Sequence, residues 1–365
     1  MSGPDVGPYG VDSLGVPCTG DLRSHVASNQ VSRSRSCSAL PITPRVLTCA
    51  FPCDKRVRVN EPIKHHFVPQ FLLRHFADSK EQLQVHRLAG NQSFRSTVRS
   101  TGHRNDGHTL YGPQFGTSGM NRTLLESAMS DLEGDAATVV DELATGNSRD
   151  VTDSQKQVLC WFAGLQILRS RFTLGYVVRQ LEQGKYAEQF GDLPAEELQT
   201  ALLGSALSPF LGAWSNRNNP RAQAKDKWNP FSAGLRQFRW DVLHYRTPSL
   251  VLSDAFAAQS GIRDEARPNY TKTERRWAMH GFVSSLEDSA RVTMALTPEL
   301  GIHLHRSNQR KSLKAEDFNR YTVYSSRDFI AHAPDWHDLN PRLHQLMAER
   351  LSLQRMLRMA MPANF

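Results

Sequence analysis

The residues best placed for chemistry lie far apart in the chain: His66, Arg74, Glu126, Glu133, Gln166, Arg169 and Asp254. His66 belongs to the run Lys64-His65-His66-Phe67-Val68-Pro69-Gln70-Phe71-Leu72-Leu73-Arg74-His75-Phe76. Pro69 suits the first turn of a helix, where its missing N–H costs nothing and its fixed φ is already helical. His66 then lies near the unpaired N–H groups and positive dipole end of that helix, where a phosphate or carboxylate could sit. The same field disfavours the imidazolium, so His66 suits a neutral base or a metal ligand. Against this stands a histidine that only caps or packs the turn.

Glu126 and Glu133 are seven residues apart, which puts both on one face of a helix. Gln166 and Arg169 are three apart and share a face of the next helix. If the two helices pack, the four polar groups meet at one edge of the interface. Carboxylates beside a histidine suit a divalent metal or acid–base work, so His66, Glu126, Glu133 and Asp254 are the candidate catalytic and metal-ligating residues. Arg74, Arg169 and Gln166 are the candidate phosphate-binding groups. Asp254 follows the apolar run Leu250-Val251-Leu252-Ser253, and a carboxylate at a strand end serves a site or holds a turn. The rival to all of this is a Glu–Arg ion-pair network that only fixes helix register.

No Gly-rich phosphate loop, no H-E-x-x-H and no nucleophile elbow is present. His303 and His305 share a face of a strand, and with no third ligand in view they are expected to be an exposed pair. Cys160 lies in an apolar helical stretch and reads as core.

The chain has 365 residues, 44 Lys+Arg against 36 Asp+Glu, and a formal charge of +8, a balance that draws polyanions such as nucleic acid or nucleotides. No apolar run is long enough to span a bilayer, so no membrane partner and a cytoplasmic location are expected. Residues 1–58 are rich in Ser, Gly, Pro and Arg without a sustained apolar period, and read as a disordered leader or an over-extended gene start. Four of the five cysteines, Cys18, Cys37, Cys49 and Cys53, fall there without paired C-x-x-C spacing.

Residues 59–365 read as a single α+β domain, helical over 64–210, strand-rich over 235–330, with a helical tail over 340–359. The clearest helix spans 124–144, with a stripe from Leu125 to Leu143, a capping pattern at Thr123 and Glu126 and a stop at Gly146. A second spans 154–183, capped by Thr152 or Asp153, and a third 195–207. Residues 83–88 and 94–99 form a hairpin. Further strands cover 238–244, 249–253, 291–296 and 301–305.

The chain also resembles the domain-of-unknown-function family four-two-three-eight. Its members open with a pattern like H-[YF]-V-P-x-[FY]-x-L-[RK]-x-F, matched by His66 to Phe76. The resemblance continues through Leu125-Glu126 to Leu132-Glu133-Gly134, Gln166-Ile167-Leu168-Arg169, Leu252-Ser253-Asp254, Met294 to Pro298, and Asn319 ahead of Val323-Tyr324-Ser325. It covers residues 64 to about 330. Members often read Ser-Asp-Asn-Pro where this chain has Ser253-Asp254-Ala255-Phe256. The resemblance implies no reaction, but it marks the same polar groups that spacing selects. The leading expectation is a phosphodiester-directed hydrolase of nuclease type, with a divalent metal as its candidate cofactor. On that reading both His66→Ala and Glu133→Gln abolish activity without lowering the melting temperature. The alternatives are a non-catalytic binding or sensing module and a nucleic-acid binder without hydrolysis.

Overall fold

Long-range strand pairing organises this chain more than its helices do. The computed structural model describes residues 64–88, 92–105, 108, 124–169, 195–216, 234–279, 286–336 and 340–360. The leader with its four cysteines, most of the loop before residue 124 and the expected continuation of the second helix past Arg169 lie outside the described residues. In chain order the elements are β1 (Lys64–His66), α1 (Gln70–His75), β2 (Gln82–Arg87), β3 (Gln92–Thr97), β4 (His103–Asn105), α2 (Leu124–Thr145), α3 (Asp153–Arg169), α4 (Ala195–Ser215), β5 (Arg239–His244), β6 (Leu252–Ser253), β7 (Ala258–Ile262), α5 (Lys272–Ala278), β8 (Ser289–Ala295), β9 (Leu300–His305), α6 (Ala315–Ser325), β10 (Phe329–His332) and α7 (Asn340–Ala360). The architecture is α+β. No helix among the described residues is long and apolar enough to cross a membrane.

The apolar stripe of α2 does what its spacing predicts: Leu125, Met129, Leu132, Ala136, Val139, Val140 and Leu143 are all buried. Its end is set at Gly146, whose N–H reaches Glu142 O at 3.0 Å. The next helix, α3, opens on a reciprocal cap. Gln155 N–H donates to Thr152 Oγ1 at 3.3 Å and Thr152 N–H to Gln155 Oε1 at 3.0 Å, so Thr152 is the capping residue. From Leu159 to Gln166 every residue of α3 is buried, which makes it the central helix. Cys160 is in that core, and burial pushes its thiol up to about 12. The third helix does not stop near Leu207 but runs through Pro209 to Ser215. That extra length buries Phe210, Leu211 and Trp214, and rings of Phe210 and Trp214 pack on Trp161 at 4.8 and 5.7 Å.

The described strand pairs are antiparallel, in sheets of order β3-β2-β10-β6 and β5-β9-β8-β7 and a two-stranded ribbon β1-β4. The expected hairpin is present with Gln82 opposite Thr97 and Arg87 opposite Gln92. Its sheet is completed by β10, which sets Ala331 opposite Val85, so strands from both halves of the chain share one sheet. Of the stretch expected as a strand over 249–253, only Leu252–Ser253 pairs. Ser249 and Leu250 donate instead to Pro298 O, and Val251 N–H to Asn319 Oδ1.

The second sheet has one apolar face, with Trp240, Val242, Ile302, Leu304, Val292 and Met294 in the core. Its other face is polar and carries Asp241, His303, His305, Arg291 and Thr293. Helix α6 packs near that polar face at Gly301, where a side-chain carbon would come within 2.5 Å of the Phe318 ring, so only glycine admits the close approach. Here the structure corrects one expectation. His303 and His305 are not exposed; both are buried, because loop and helix cover a face that strand alternation alone presents as open.

Candidate functional site

The ribbon β1-β4 and the helices α2 and α3 bring the candidate residues together. Strand β1 sets His65 opposite Arg104 and His66 opposite His103. The chain leaves it through Phe67 and Val68, whose N–H groups both bond to Gly102 O at 2.8 and 3.2 Å. Gly102 has φ +64°, and a side-chain carbon there would sit 3.0 Å from Val68 Cβ, so the tight crossing depends on glycine. This clip fixes both histidines at the start of α1.

His65 faces inward. Its Nδ1 accepts the backbone N–H of His108 at 2.7 Å, and its ring stacks on that of His108 with centroids 5.6 Å apart and planes 4° from parallel. His108 in turn bonds through Nδ1 to Glu126 Oε1 at 2.6 Å. Ligand atoms from His65, His108 and Glu126 all lie within 4.8 Å of one another. Two imidazoles and one carboxylate form a donor set suited to zinc, manganese or iron. In the observed arrangement, however, the Nδ1 of His65 is engaged by the His108 amide and that of His108 by the carboxylate. A metal bound through these atoms would displace both hydrogen bonds and a proton. Burial pushes the Glu126 carboxyl up, but the His108 hydrogen bond and the charges of His108, His65 and Arg169 outweigh it and hold the group below its usual range. Glu126 is therefore ionised at neutral pH and can accept a hydrogen bond from His108 Nδ1–H.

Arg169 ends α3 with 1 % of its surface exposed. Its Nη1 donates to Glu133 Oε1, the residue that α2 presents two turns after Glu126. The Nε and Nη2 atoms, the other edge of the guanidinium fork, have no hydrogen-bond partner among the described residues. Gln166, one turn earlier and also buried, leaves its Nε2 equally unpartnered. Several buried donors without acceptors are costly, roughly 1–3 kcal/mol each. They concentrate beside the His108–Glu126 pair, at the seam between α2 and α3.

His66 completes the cluster. Its charge state responds to both Glu126 and Arg169. Burial and then the His103 ring lower its pKa to about 4, opposed by the Arg99 backbone and Glu126, so the ring is neutral at pH 7. Its Nδ1 lies 3.4 Å from Gln70 Nε2, while its Nε2 meets no partner at hydrogen-bonding geometry.

Spacing selects Glu126, Glu133, Gln166 and Arg169 as a group; the packing of α2 on α3 pairs Arg169 with Glu133 and brings it near Glu126, while Gln166 is buried one turn before Arg169. Glu133 serves Arg169 and does not join the His65–His108–Glu126 set. Arg74 stands at the exposed rim, bonded to Gln70 Oε1 at 2.9 Å and Glu81 Oε1 at 3.3 Å, and touches the site only through Gln70 and His66. Asp254 belongs elsewhere. Its carboxylate accepts Ser326 Oγ–H at 2.6 Å and the N–H groups of Arg327 and Asp328 at 3.0 and 3.1 Å, holding the turn between α6 and β10. Burial raises its pKa against those bonds. A carboxylate with its lone pairs committed to backbone amides is a structural latch, not a metal ligand. The residues missed by spacing are His65 and His108. His65 adjoins the chosen His66 and points to the other side of the strand. His108 sits in a loop without periodicity, where its only signal is a second cluster of histidines at 103 and 108.

Three histidines, His66, His86 and His303, have pKa values lowered from 6.5 to about 4, in each case chiefly by burial. The unfolded chain takes up these protons below pH 6.5 and the folded chain does not until about pH 4. Stability from this source is complete above pH 6.5 and is lost as pH falls through that window. Thermal melting between neutral and mildly acidic pH is expected to show a loss of roughly 1–3 kcal/mol per histidine at the acid end. A melting temperature flat across the window would contradict the neutral assignments.

Comparison with known proteins comes down to one match. A family model described as "Protein of unknown function (DUF4238)" aligns with residues 64–335. No curated protein matches the chain, and no solved structure does.

Proposed function

We propose a function from the site itself, on the premise that the chain belongs to the DUF4238 family, whose description assigns no reaction. The reading is a phosphodiester-directed hydrolase of nuclease type. The observation that carries it is the buried, unpartnered edge of Arg169 beside the His108–Glu126 pair. A guanidinium fork with two free N–H groups matches two oxygens of a phosphate. Glu133 neutralises the other edge and sets the orientation of the fork.

In this mechanism the Arg169 fork and the Gln166 amide hold the non-bridging oxygens and stabilise the charge that builds on them. His108 Nε2 accepts the proton of the attacking water, and the imidazolium so formed is stabilised by Glu126. Water oxygen bonds to phosphorus as its proton passes to His108, the bond to the leaving oxygen breaks, and that oxygen takes a proton from solvent, while the His108 imidazolium later returns its proton to solvent. The neutral His66 can relay the solvent proton by taking it up at one ring nitrogen as it gives up the proton of the other. Burial is the main cause of the low His66 pKa, and an anionic substrate would offset the smaller effect of His103 and Arg169 and raise its basicity when bound. The net charge of +8 favours nucleic acid over neutral substrates.

A second reading is favoured by the 4.8 Å spread of His65, His108 and Glu126. There His65, His108 and Glu126 would hold a divalent metal, which would supply Lewis acidity to a phosphoryl oxygen. The deciding experiment incubates the purified protein with RNA, single-stranded DNA and nucleotides, with chelator and with added Mg²⁺, Mn²⁺ or Zn²⁺. Cleavage that survives chelation supports the acid–base reading, and cleavage restored by one metal supports the metal reading. Intact substrates under every condition would leave the non-catalytic binding module in its place.

A further inference from the structure

We propose that the polar face of the β5-β9-β8-β7 sheet is a second binding site, for a small molecule bearing a terminal phosphate. It shares no residue with the His108–Glu126–Arg169 cluster. A cavity of about 440 Å³ opens there between the turn after β7 and the segment following β9. That volume suits a metabolite or mononucleotide rather than a bare ion. Five cations line it, among them Arg291, Arg306 and Lys311, against the acids Asp264 and Glu265. Asp264 pairs with Arg267 at 3.1 Å and Arg263 with Asp288 at 3.4 Å, which leaves Arg291, Arg306 and Lys311 against Glu265. The cavity is therefore electropositive.

The independent observation is His303, on the cavity wall with 3 % of its surface exposed. Among the described residues neither of its ring nitrogens meets a partner at full hydrogen-bonding geometry, although the Lys311 backbone lies near enough to favour its protonated form. Its neighbour His305, on the same strand face and in the same cavity, is saturated. His305 Nε2 bonds to Asp241 Oδ2 at 2.7 Å, and its Nδ1 accepts Ser307 N–H at 3.2 Å. Directly across from His303, the buried Thr293 Oγ1 also lacks a partner. One histidine of the pair is thus built into the scaffold, and the other, beside the Lys311 backbone, keeps at least one ring nitrogen for a guest. Leaving such groups unmet is costly unless a ligand meets them.

The surroundings are arranged to keep this wall in place. Asp241 is fully buried and ties β5 to the segment after β9, accepting from Arg239 Nε at 3.0 Å and from the Lys311 backbone N–H at 2.8 Å. That last bond fixes the backbone of Lys311 at the cavity mouth while its side chain stays exposed. Arg291 is braced by the Tyr321 hydroxyl of α6 at 2.5 Å. The depth of His303 decides between guests. A terminal phosphate can reach a nearly sealed imidazole, whereas a mid-chain phosphodiester, flanked by sugars on both sides, cannot.

Isothermal titration of the full chain with inorganic pyrophosphate and with adenosine monophosphate tests this, with an RNA oligomer lacking terminal phosphates as a third titrant. Binding of at least one phosphate compound is expected, weakened by about tenfold or more in Lys311→Glu and in His303→Gln. Lys311 is exposed, so its variant folds even if His303→Gln does not. On the hydrolase reading the Arg169 fork also holds phosphate, so the titrations are repeated in Arg169→Met, where the binding that Lys311→Glu weakens should persist; this separates failure here from failure of that reading. No binding of either phosphate compound, equal binding by Lys311→Glu, or binding of the RNA oligomer alone would each overturn the proposal.

Discussion

Replacing His108 by alanine is expected to lower phosphodiester turnover by about 10²–10⁴ and to cost roughly 1–3 kcal/mol of stability. The loss of turnover follows from removing the base. The loss of stability comes from the buried ring stacked on His65, and what surrounds it keeps that loss moderate. Glu126 keeps 31 % of its side chain exposed, so its carboxylate returns to water once the imidazole is gone. Glu126→Gln should cost less, about tenfold, because the amide can still accept the Nδ1 proton at the same place while no longer stabilising an imidazolium charge. Calorimetry with Zn²⁺ or Mn²⁺ separates the two chemistries. Under the metal reading both variants lose metal binding together with activity, and wild-type activity vanishes with chelator. Under the acid–base reading the activity loss appears without any metal-binding change. If His108→Ala retains full turnover, the pair is not the reaction centre.

The parts of this site that were legible in the sequence are those carried by helical periodicity. The stripe of α2 and the apolar run of α3 fix which faces pack, and that alone sets Glu126, Glu133, Gln166 and Arg169 along one seam. Spacing could not tell which carboxylate serves which partner, because both point to the same seam. The packed structure gives Glu126 to a histidine and Glu133 to an arginine. His108 was illegible because it is held by long-range contact with His65, not by any local pattern. Likewise Asp254 carries the same local signature as a strand-end catalytic acid, and only the return of residues 326–328 to its carboxylate reveals a latch. Short elements failed for a related reason. The sequence of β7, Ala-Gln-Ser-Gly-Ile, has no alternation and is a strand only because β8 pairs with it. Helix α6 is rich in aromatic and β-branched residues that locally favour strand, and its burial near Gly301 overrides that preference.

Glu133→Gln is expected to destabilise the fold by about 3–5 kcal/mol, which reverses the expectation from spacing alone that this change is silent in melting. Arg169 is buried at the end of α3, and Glu133 is the one carboxylate bonded to it among the described residues. Removing that charge leaves a guanidinium in a poorly solvated position with no counterion in contact. Removing both charges, as Glu133→Gln with Arg169→Met, should recover most of the stability, because a flexible apolar side chain fills the space without a charge to solvate. Activity should not return in the double variant, since the phosphate-holding fork is gone. Inorganic phosphate then distinguishes a site from a latch. If the Nε and Nη2 edge of Arg169 is open to an anion, phosphate binds the folded form and raises the melting temperature of Glu133→Gln more than that of the double variant. A structural latch predicts the same small shift in both. The result would show whether the buried, half-satisfied arginine is kept for substrate or only for helix register.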